Sequence, residues 1–424
     1  MTLSASPKVG AYAALGSVAV LAAIAFGYPK AAAVGMPFLI AVLMGLAFAR
    51  PPRVVANVAV DRDRLLEGET VRATVTVETD ASVPWLRLAW PLPVSLDVEG
   101  RSDVRGVTLA AGAVTTVESV MTATRWGVVR LPELLLRGYD ELGFFRFESA
   151  VEPDVLLRVY PRAETLRRAV TAAETQAFGG NELSRGSGDG TEFADIRPYL
   201  AGDRLRRINW RLSTRTGSLH INEMHPDRNT DVVIFLDLFT DVRDGREGTL
   251  DYAVRAAASL AEYYLGRRDR VGVIGFGGVL RWLLPAMGSR QIYRIVDSLI
   301  DSEVVVTHAW RGVEFIPARI LPPKSLIVAL TPLIDGRAVD SLVDLRARGF
   351  DLVVVEVMAE PFAVPADHEA ARLAHRLWEL DRRATRFRYR SLGIPIVQWQ
   401  PGESLARPME EAREIGRQSR WLRA

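Results

Sequence analysis

The first fifty positions are apolar almost without interruption, and the pattern changes kind twice after them. Positions 11–28 form an uncharged apolar run, Pro29-Lys30 breaks it, and positions 31–49 form a second run of similar length. Each run approaches the roughly 20 residues that a helix needs to cross a bilayer's hydrocarbon core. Together they predict a tight transmembrane helical hairpin within residues 1–53. A cleaved signal peptide is the rival reading. It is weakened by the single Lys8 ahead of the first run and by the second run that follows at once. Arg50, Arg53, Arg62 and Arg64 follow the second run, and the break between the runs holds only Lys30. The positive-inside bias then puts both hairpin ends, and everything C-terminal, on the cytoplasmic side of the inner membrane.

Over 54–162 the period shortens to two. VRATVTVET at 71–79 alternates apolar with polar as a half-buried strand does, and TTVESVMTAT at 115–124 does so less regularly. Gly68, Gly100, Gly106, Gly112 and Gly127 punctuate the runs at turn-like spacing. Seven or eight strands without a helix predict a β-sandwich of immunoglobulin-like size, serving as a rigid spacer or docking module. Residues 163–230 read as a linker. A short helical piece, AETLRRAVTAAETQ, leads into GGNELSRGSGDG, whose glycines at 186, 188 and 190 lack the strand and helix that a phosphate cradle requires.

From 231 to 424 strand and helix alternate. DVVIFLDL is an apolar run ending in an acid, as a parallel strand buried on both faces would be. A helical stretch follows, then RVGVIGFGG with VLRWLLP as its hairpin partner, SRQIYRIVDSLID, SLIVALT, RAVDSLVDLRARG, FDLVVVEVM, a charged helix over about 367–391, IPIVQWQ and a last helix. This predicts a doubly wound α/β sheet whose functional edge lies at the strands' C-terminal ends, where Asp237, the 275–278 turn, Thr331 and Glu356 fall.

Composition narrows the choices. At 424 residues the chain exceeds one ordinary core, so several domains are expected. With 53 basic and 51 acidic side chains, the net charge of +2 supplies no global field toward a polyanion. There are no cysteines, which excludes disulfides and thiolate metal sites. Nucleophile elbow, P-loop and His-Glu-x-x-His motifs are absent from the sequence, so no catalytic residues are assigned and the chain is not read as an enzyme.

The densest chemistry lies in GDGTEFADIRPYLAGDRLRRINWRLSTRTGSLHINE, which ends at Glu223. This segment, the VIFLDL strand after it, and the apolar spans and β region ahead of it resemble the bacterial family called domain of unknown function 58. The resemblance is read over essentially the whole chain. Its central motif, a Gly-Asp, then Arg-x-Ile-x-Trp, then Arg, falls at Gly202-Asp203, Arg206, Ile208 and Trp210, with Arg215 downstream. TRWGVVRLPELLLRGYDELGFFR at 124–146 resembles a second family pattern. The resemblance implies a C-terminal half similar to a von Willebrand factor type A domain. It further implies a place beside MoxR-type AAA+ ATPases in assembly, maturation or envelope stress.

A von Willebrand type A resemblance also implies a Mg²⁺ site built from an Asp-x-Ser-x-Ser loop, a threonine and a further acid, hard oxygens that suit this ion. Asp237 matches the first ligand and Asp241 could replace the last hydroxyl, while Phe239 stands where an oxygen is needed. Thr240 points the wrong way in a regular loop, Thr331-Pro332 stands where an acid is expected, Asp335 comes late, and Ser289 could stand in for the threonine. The set is incomplete, and the competing reading is that Asp237 orders its loop and no cation binds.

Arginine binds carboxylate or phosphate bidentately and stacks on aromatic rings. Arg204, Arg206, Arg207, Arg211 and Arg215 follow Asp203 and bracket Trp210. Three readings stand: internal bracing by ion pairs and cation–π contact, partner docking, and single-strand nucleic-acid binding, the last weakened by the single stacking platform. Leu205, Ile208 and Leu212 recur at helical spacing and predict an inward stripe, so Trp210→Ala is expected to destabilise the domain as well as weaken docking. His368, His375 and Glu379 read as solvated helix residues, and His220 and His225 as polar loop residues. RRATRFRYRS at 382–391 reads as a solvated helix face near anionic lipid or a partner. The overall expectation is a membrane-anchored cytoplasmic scaffold or adaptor without a cofactor, with a Mg²⁺-dependent receptor or hydrolase and a nucleic-acid binder as alternatives.

Overall fold

A computed structural model describes residues 2–48, 52–98, 104–140, 143–171, 182–183, 192–200, 203, 205–225, 227–228, 230–304 and 321–421. The 186–190 glycines, Gly202 and Arg204 lie outside them. The chain divides into two compact units, residues 1–160 and 161–424.

In the first unit the two apolar runs form helices over Pro7–Phe26 and Pro29–Phe48. Ser6 caps the first by accepting a hydrogen bond from the Lys8 amide, Pro7 opens it, and Gly27, at φ 65°, ends it in the left-handed conformation glycine tolerates. The helices pack closely because small residues meet. A Cβ added at Gly35 would lie 2.5 Å from the Ala19 Cβ, and one at Gly16 would lie 2.6 Å from Leu39 Cγ. The outer surface remains apolar, with Leu21, Ile24, Phe26, Val34 and Leu43 exposed.

Ahead of the hairpin, Thr2–Ala5 is a strand that pairs antiparallel with Phe145–Val151. The Phe144 ring packs on Tyr12 with centroids 5.3 Å apart, and Lys8 Nζ lies 5.4 Å from the Phe144 centroid. The hairpin is thus continuous with the sheets that follow. Among the described residues eleven strands lie between Val54 and Tyr160, more than the seven or eight the pattern predicts, because several are only three or four residues long. They form four-, five- and three-stranded sheets, the five-stranded one including Thr2–Ala5. The sheets share one core, in which Val71, Ala73, Val75 and Val77 of one strand face Leu86, Leu134, Leu136 and Phe147 of others. The alternation over 71–79 that predicts a half-buried strand is thereby observed.

The second unit begins with a surprise. Residues 163–171, the described part of the helical piece expected at 163–176, have no helix, and neither do 161–162 ahead of them. They form a strap with Leu166, Ala169 and Val170 buried. Tyr264 Oη donates to the Val170 carbonyl at 2.6 Å, and the Glu164 amide donates to Ser259 Oγ at 2.8 Å. The strap's apolar side chains pack in the domain core, which overrides the local helix preference.

Among the described residues six strands build the second unit's main sheet: Asp231–Leu238, Arg270–Gly277, Arg281–Ala286, Leu326–Thr331, Asp351–Val357 and Ile396–Trp399. In chain order their lateral arrangement is 3-2-1-4-5-6, parallel except for the antiparallel Arg281–Ala286 edge. All eight residues of Asp231–Leu238 and all six of Leu326–Thr331 are buried, as in a sheet covered on both faces. Strand order reverses between these two, which opens a crevice at their C-terminal ends.

Candidate functional site

Asp237 and Thr331 face each other at that switch point. Thr331 Oγ1 donates to Asp237 Oδ2 at 2.6 Å, and the Phe239 amide donates to Oδ1 at 3.0 Å. Asp237 is 1% exposed, and burial pushes its carboxyl up from 3.8 to about 6 against the pull of those two hydrogen bonds. Over the next loop Arg337 chelates Asp335 with Nε at 2.9 Å and Nη2 at 2.8 Å, and its guanidinium stacks 4.2 Å from the Phe239 centroid. The Arg337 pairing holds the Asp335 carboxyl below its usual value.

The next strand ends in Glu356, which is fully buried. Arg382 Nη2 donates to its Oε1 at 2.5 Å and Arg386 Nε to its Oε2 at 2.8 Å, while Arg386 also pairs with Glu360. Arg382 Nη1 donates to the Leu333 carbonyl at 2.5 Å, in the loop where Leu333 takes φ 54°, a conformation that favours glycine. Three strand ends and the Glu369–Ser391 helix are therefore cross-braced by buried charge. Asp237, Thr331 and Glu356 were legible as edge residues. Arg382 and Arg386 were not, because an arginine-rich helix reads as solvated; two of its arginines and Tyr389, whose Oη donates to the Val339 carbonyl at 2.8 Å, turn inward instead.

These residues do not fit a Mg²⁺ shell. Both Asp237 oxygens accept hydrogen bonds from the protein, and Phe239 contributes a ring. Asp241 turns away to organise the next helix: it accepts from the Leu250 amide at 3.0 Å and from Arg243 Nη1 at 2.8 Å, while Arg243 Nη2 donates to Asp251 at 2.8 Å. Ser289 opens the helix after the Arg281–Ala286 strand. Ala286 pairs with Val271 and Val271 with Val232, five residues before Asp237. At about 3.3 Å per residue this puts Ser289 at the opposite edge of the sheet, roughly 16 Å away. Antiparallel pairing of the edge strand is what carries it there. Among the described residues no cluster of three His, Asp or Glu side chains is placed to hold a metal. His368 accepts from the Ala371 amide as a helix cap, His375 pairs with Glu379 at 3.4 Å, and His220 Nδ1 lies 2.9 Å from the Ser218 carbonyl. The side chain of His225 lies outside the description.

The arginine-rich segment divides cleanly into braces and exposed groups. Asp203 is chelated by Arg197, 2.8 Å from each oxygen, and accepts the Leu200 amide at 2.8 Å. The Arg197 guanidinium holds the Asp203 carboxyl below its usual value. Ile208 bridges to Ile221, both buried. Asn209 caps the Trp210–Thr216 helix by accepting from the Leu212 amide at 3.0 Å, and its Nδ2 donates to Asn222 at 2.8 Å. A two-stranded ribbon of Glu192–Pro198 and His220–His225 carries these contacts.

The single inward stripe predicted for Leu205, Ile208 and Leu212 is not formed. A 3₁₀ turn over Leu205–Arg207 and the fresh helix start at Trp210 break the register. Ile208 turns in, Leu205 is 66% exposed and Trp210 is 63% exposed. Arg206, Arg211 and Arg215 are exposed and, among the described residues, make no ion pair, whereas Arg207 is half-buried. Arg197, a residue outside the motif, braces Asp203, and Trp210 stands outside the core.

Residues 195–370 match the family model described as Protein of unknown function DUF58, so the resemblance read from the sequence holds over that stretch. Uncharacterized proteins of Mycobacterium tuberculosis (strain ATCC 25618 / H37Rv) and Mycobacterium bovis (strain ATCC BAA-935 / AF2122/97) are each 30% identical over 114 residues, 26% of this chain. The match spans 36% of the length of each of these relatives. Among solved structures, the C-terminal part of Escherichia coli alpha-2-macroglobulin aligns at 14% identity and TM-score 0.21, over 26% of this chain and 24% of that one. A CARDB domain from Pyrococcus furiosus aligns at 12% identity and TM-score 0.16, over 26% and 88%. Scores this low carry no argument.

Proposed function

We propose that the protein is a membrane-anchored docking scaffold whose DUF58 signature segment receives a partner protein. The observation that carries this reading is the separation of duties within the segment. Asp203, Ile208 and Asn209 spend their interactions on the fold, leaving Trp210 exposed beside Arg206, Arg211 and Arg215, which are exposed and make no ion pair among the described residues. An exposed tryptophan with unpaired arginines has the composition of an interface hot spot, and an acidic partner surface complements it.

Anchoring is supported by the two apolar helices. A soluble core helix would be largely enclosed, yet these expose apolar side chains over most of the surface away from their mutual contact, which suits a lipid environment. The Thr2–Ala5 strand paired into the sheet weighs against a cleaved signal. Loop charge favours a cytoplasmic location for the second unit. The family resemblance points to a MoxR-type AAA+ ATPase, or its client, as the partner, and to a von Willebrand type A ancestry for the 3-2-1-4-5-6 sheet. The engagement of both Asp237 oxygens by Thr331 and the Phe239 amide, with Phe239 supplying a ring and Asp241 turned to Arg243 and the Leu250 amide, favours this scaffold over a Mg²⁺-dependent receptor.

Co-purification from native membranes tests the reading. The full chain is expected to recover an AAA+ ATPase, and the Trp210→Ala/Arg211→Glu variant to lose most of it at unchanged abundance. Equal recovery by both proteins, or none by either, overturns the proposal.

A further inference from the structure

The Glu369–Ser391 helix has two working faces, and only one is occupied. Its inner face is fixed by Arg382, Arg386 and Tyr389, which bond Glu356, Glu360 and the Leu333 and Val339 carbonyls. On the opposite face Leu373, Leu377, Leu380 and Phe387 are exposed, Phe387 at 75%. Their spacing is four, three and seven, with the small Ala384 filling the gap. At 100° per residue these positions fall within an arc of about 80°, centred opposite Arg382. That is the narrow seam of a helix pair rather than the broader apolar face of a helix lying in a membrane surface.

Charge flanks this seam on one side. Arg376, Arg383 and Arg390 recur every seven residues along a single edge, are exposed, and make no ion pair among the described residues. The other edge mixes Ala370, Ala374, Asp381 and Arg388. A second copy of the chain is a poor occupant. An antiparallel pair would lay one arginine edge along the other, and a parallel pair would gain Arg376 against Asp381 of the second copy only by setting Arg383 against its Arg388. A lipid surface would be matched by cations on both edges of the seam, where their stems could reach out to the headgroups.

We propose that this helix is a docking site for an acidic amphipathic helix of a partner protein. The partner's apolar ridge packs along Leu373, Leu377, Leu380 and Phe387, and its carboxylates meet the arginine edge. No residue of the signature segment enters this proposal, which stands or falls separately from the first.

The test uses the full chain in phosphatidylcholine nanodiscs and a fluorescein-labelled 21-residue helical peptide with a leucine seam and glutamate edges. Fluorescence anisotropy is expected to show saturable binding. Arg376→Glu/Arg383→Glu should weaken it at least tenfold, and a lysine-edged peptide should bind that variant in preference to the wild type. A peptide of equal charge with a scrambled seam should not compete. Circular dichroism and melting confirm that the variant is folded. Absence of saturable binding, competition by the scrambled peptide, or charge reversal that leaves affinity within twofold overturns the proposal. So does a fluorophore at position 380 that shifts to the blue only when phosphatidylglycerol is added, which would assign the face to lipid. Concentration-dependent association of the chain through position 377, removed by Leu377→Asp, would assign it to a second copy and overturn it equally.

Discussion

At the scale of single residues, Asp237 carries a signature in pH. Burial favours its neutral form, so the folded chain holds this proton more tightly than the unfolded chain does. Its contribution is therefore greatest below the ordinary value of 3.8, falls as pH rises toward about 6, and is a cost beyond that. At about 1.36 kcal/mol per unit the loss across the window is of order 3 kcal/mol. Asp237→Asn, neutral throughout, is expected to remove that slope: urea midpoints at pH 4 and pH 7 should differ less in the variant than in the wild type. Glu356 makes a second case. Glu356→Ala leaves Arg382 buried without its counter-charge and is expected to cost about 3–5 kcal/mol, read as a large drop in melting temperature, while Glu356→Leu with Arg382→Met should recover part of it. Asp237 was legible as the acid closing an apolar strand. Its partner Thr331 lies 94 residues on and Arg382 26 residues from Glu356, and no local pattern reveals which hydroxyl or guanidinium folds back to which carboxylate.

At the scale of elements, the apolar periodicities carried most of the architecture: two apolar runs became two helices, alternation became sheet, and buried runs separated by helical stretches became the parallel core. Departures came where tertiary contact overrode local preference. The 161–171 strap is held by Tyr264 and Ser259, partners that its own sequence cannot name. The 205–212 stripe was broken by a new cap at Asn209. That break changes the expectation for Trp210: Trp210→Ala should alter stability by less than about 0.5 kcal/mol, as for an exposed site away from packing. Chemical denaturation of the purified chain checks this. The hairpin behaves oppositely. Gly35→Leu forces a side chain into Ala19, so the two helices must separate, and energy transfer between probes near Lys8 and Leu46 is expected to report the change.

At the scale of the whole molecule, the chain couples a lipid-compatible hairpin and its sheets, residues 1–160, to an α/β unit whose strand ends are locked by internal charge pairs. The Asp237 and Asp241 carboxylates are engaged by the protein's own groups, and among the described residues exposed arginines without an ion pair stand beside exposed apolar side chains in the signature segment and on the 369–391 helix. The proposed docking role rests on that distribution. The most direct measurement places a photo-crosslinking amino acid at position 210 of the full chain in native membranes and identifies the adduct by mass spectrometry. The expected result is an adduct with an AAA+ ATPase or its client, lost when Arg206, Arg211 and Arg215 are reversed to glutamate. The same adduct pattern from a probe at an exposed site such as Arg130, or an adduct that survives charge reversal, would contradict it.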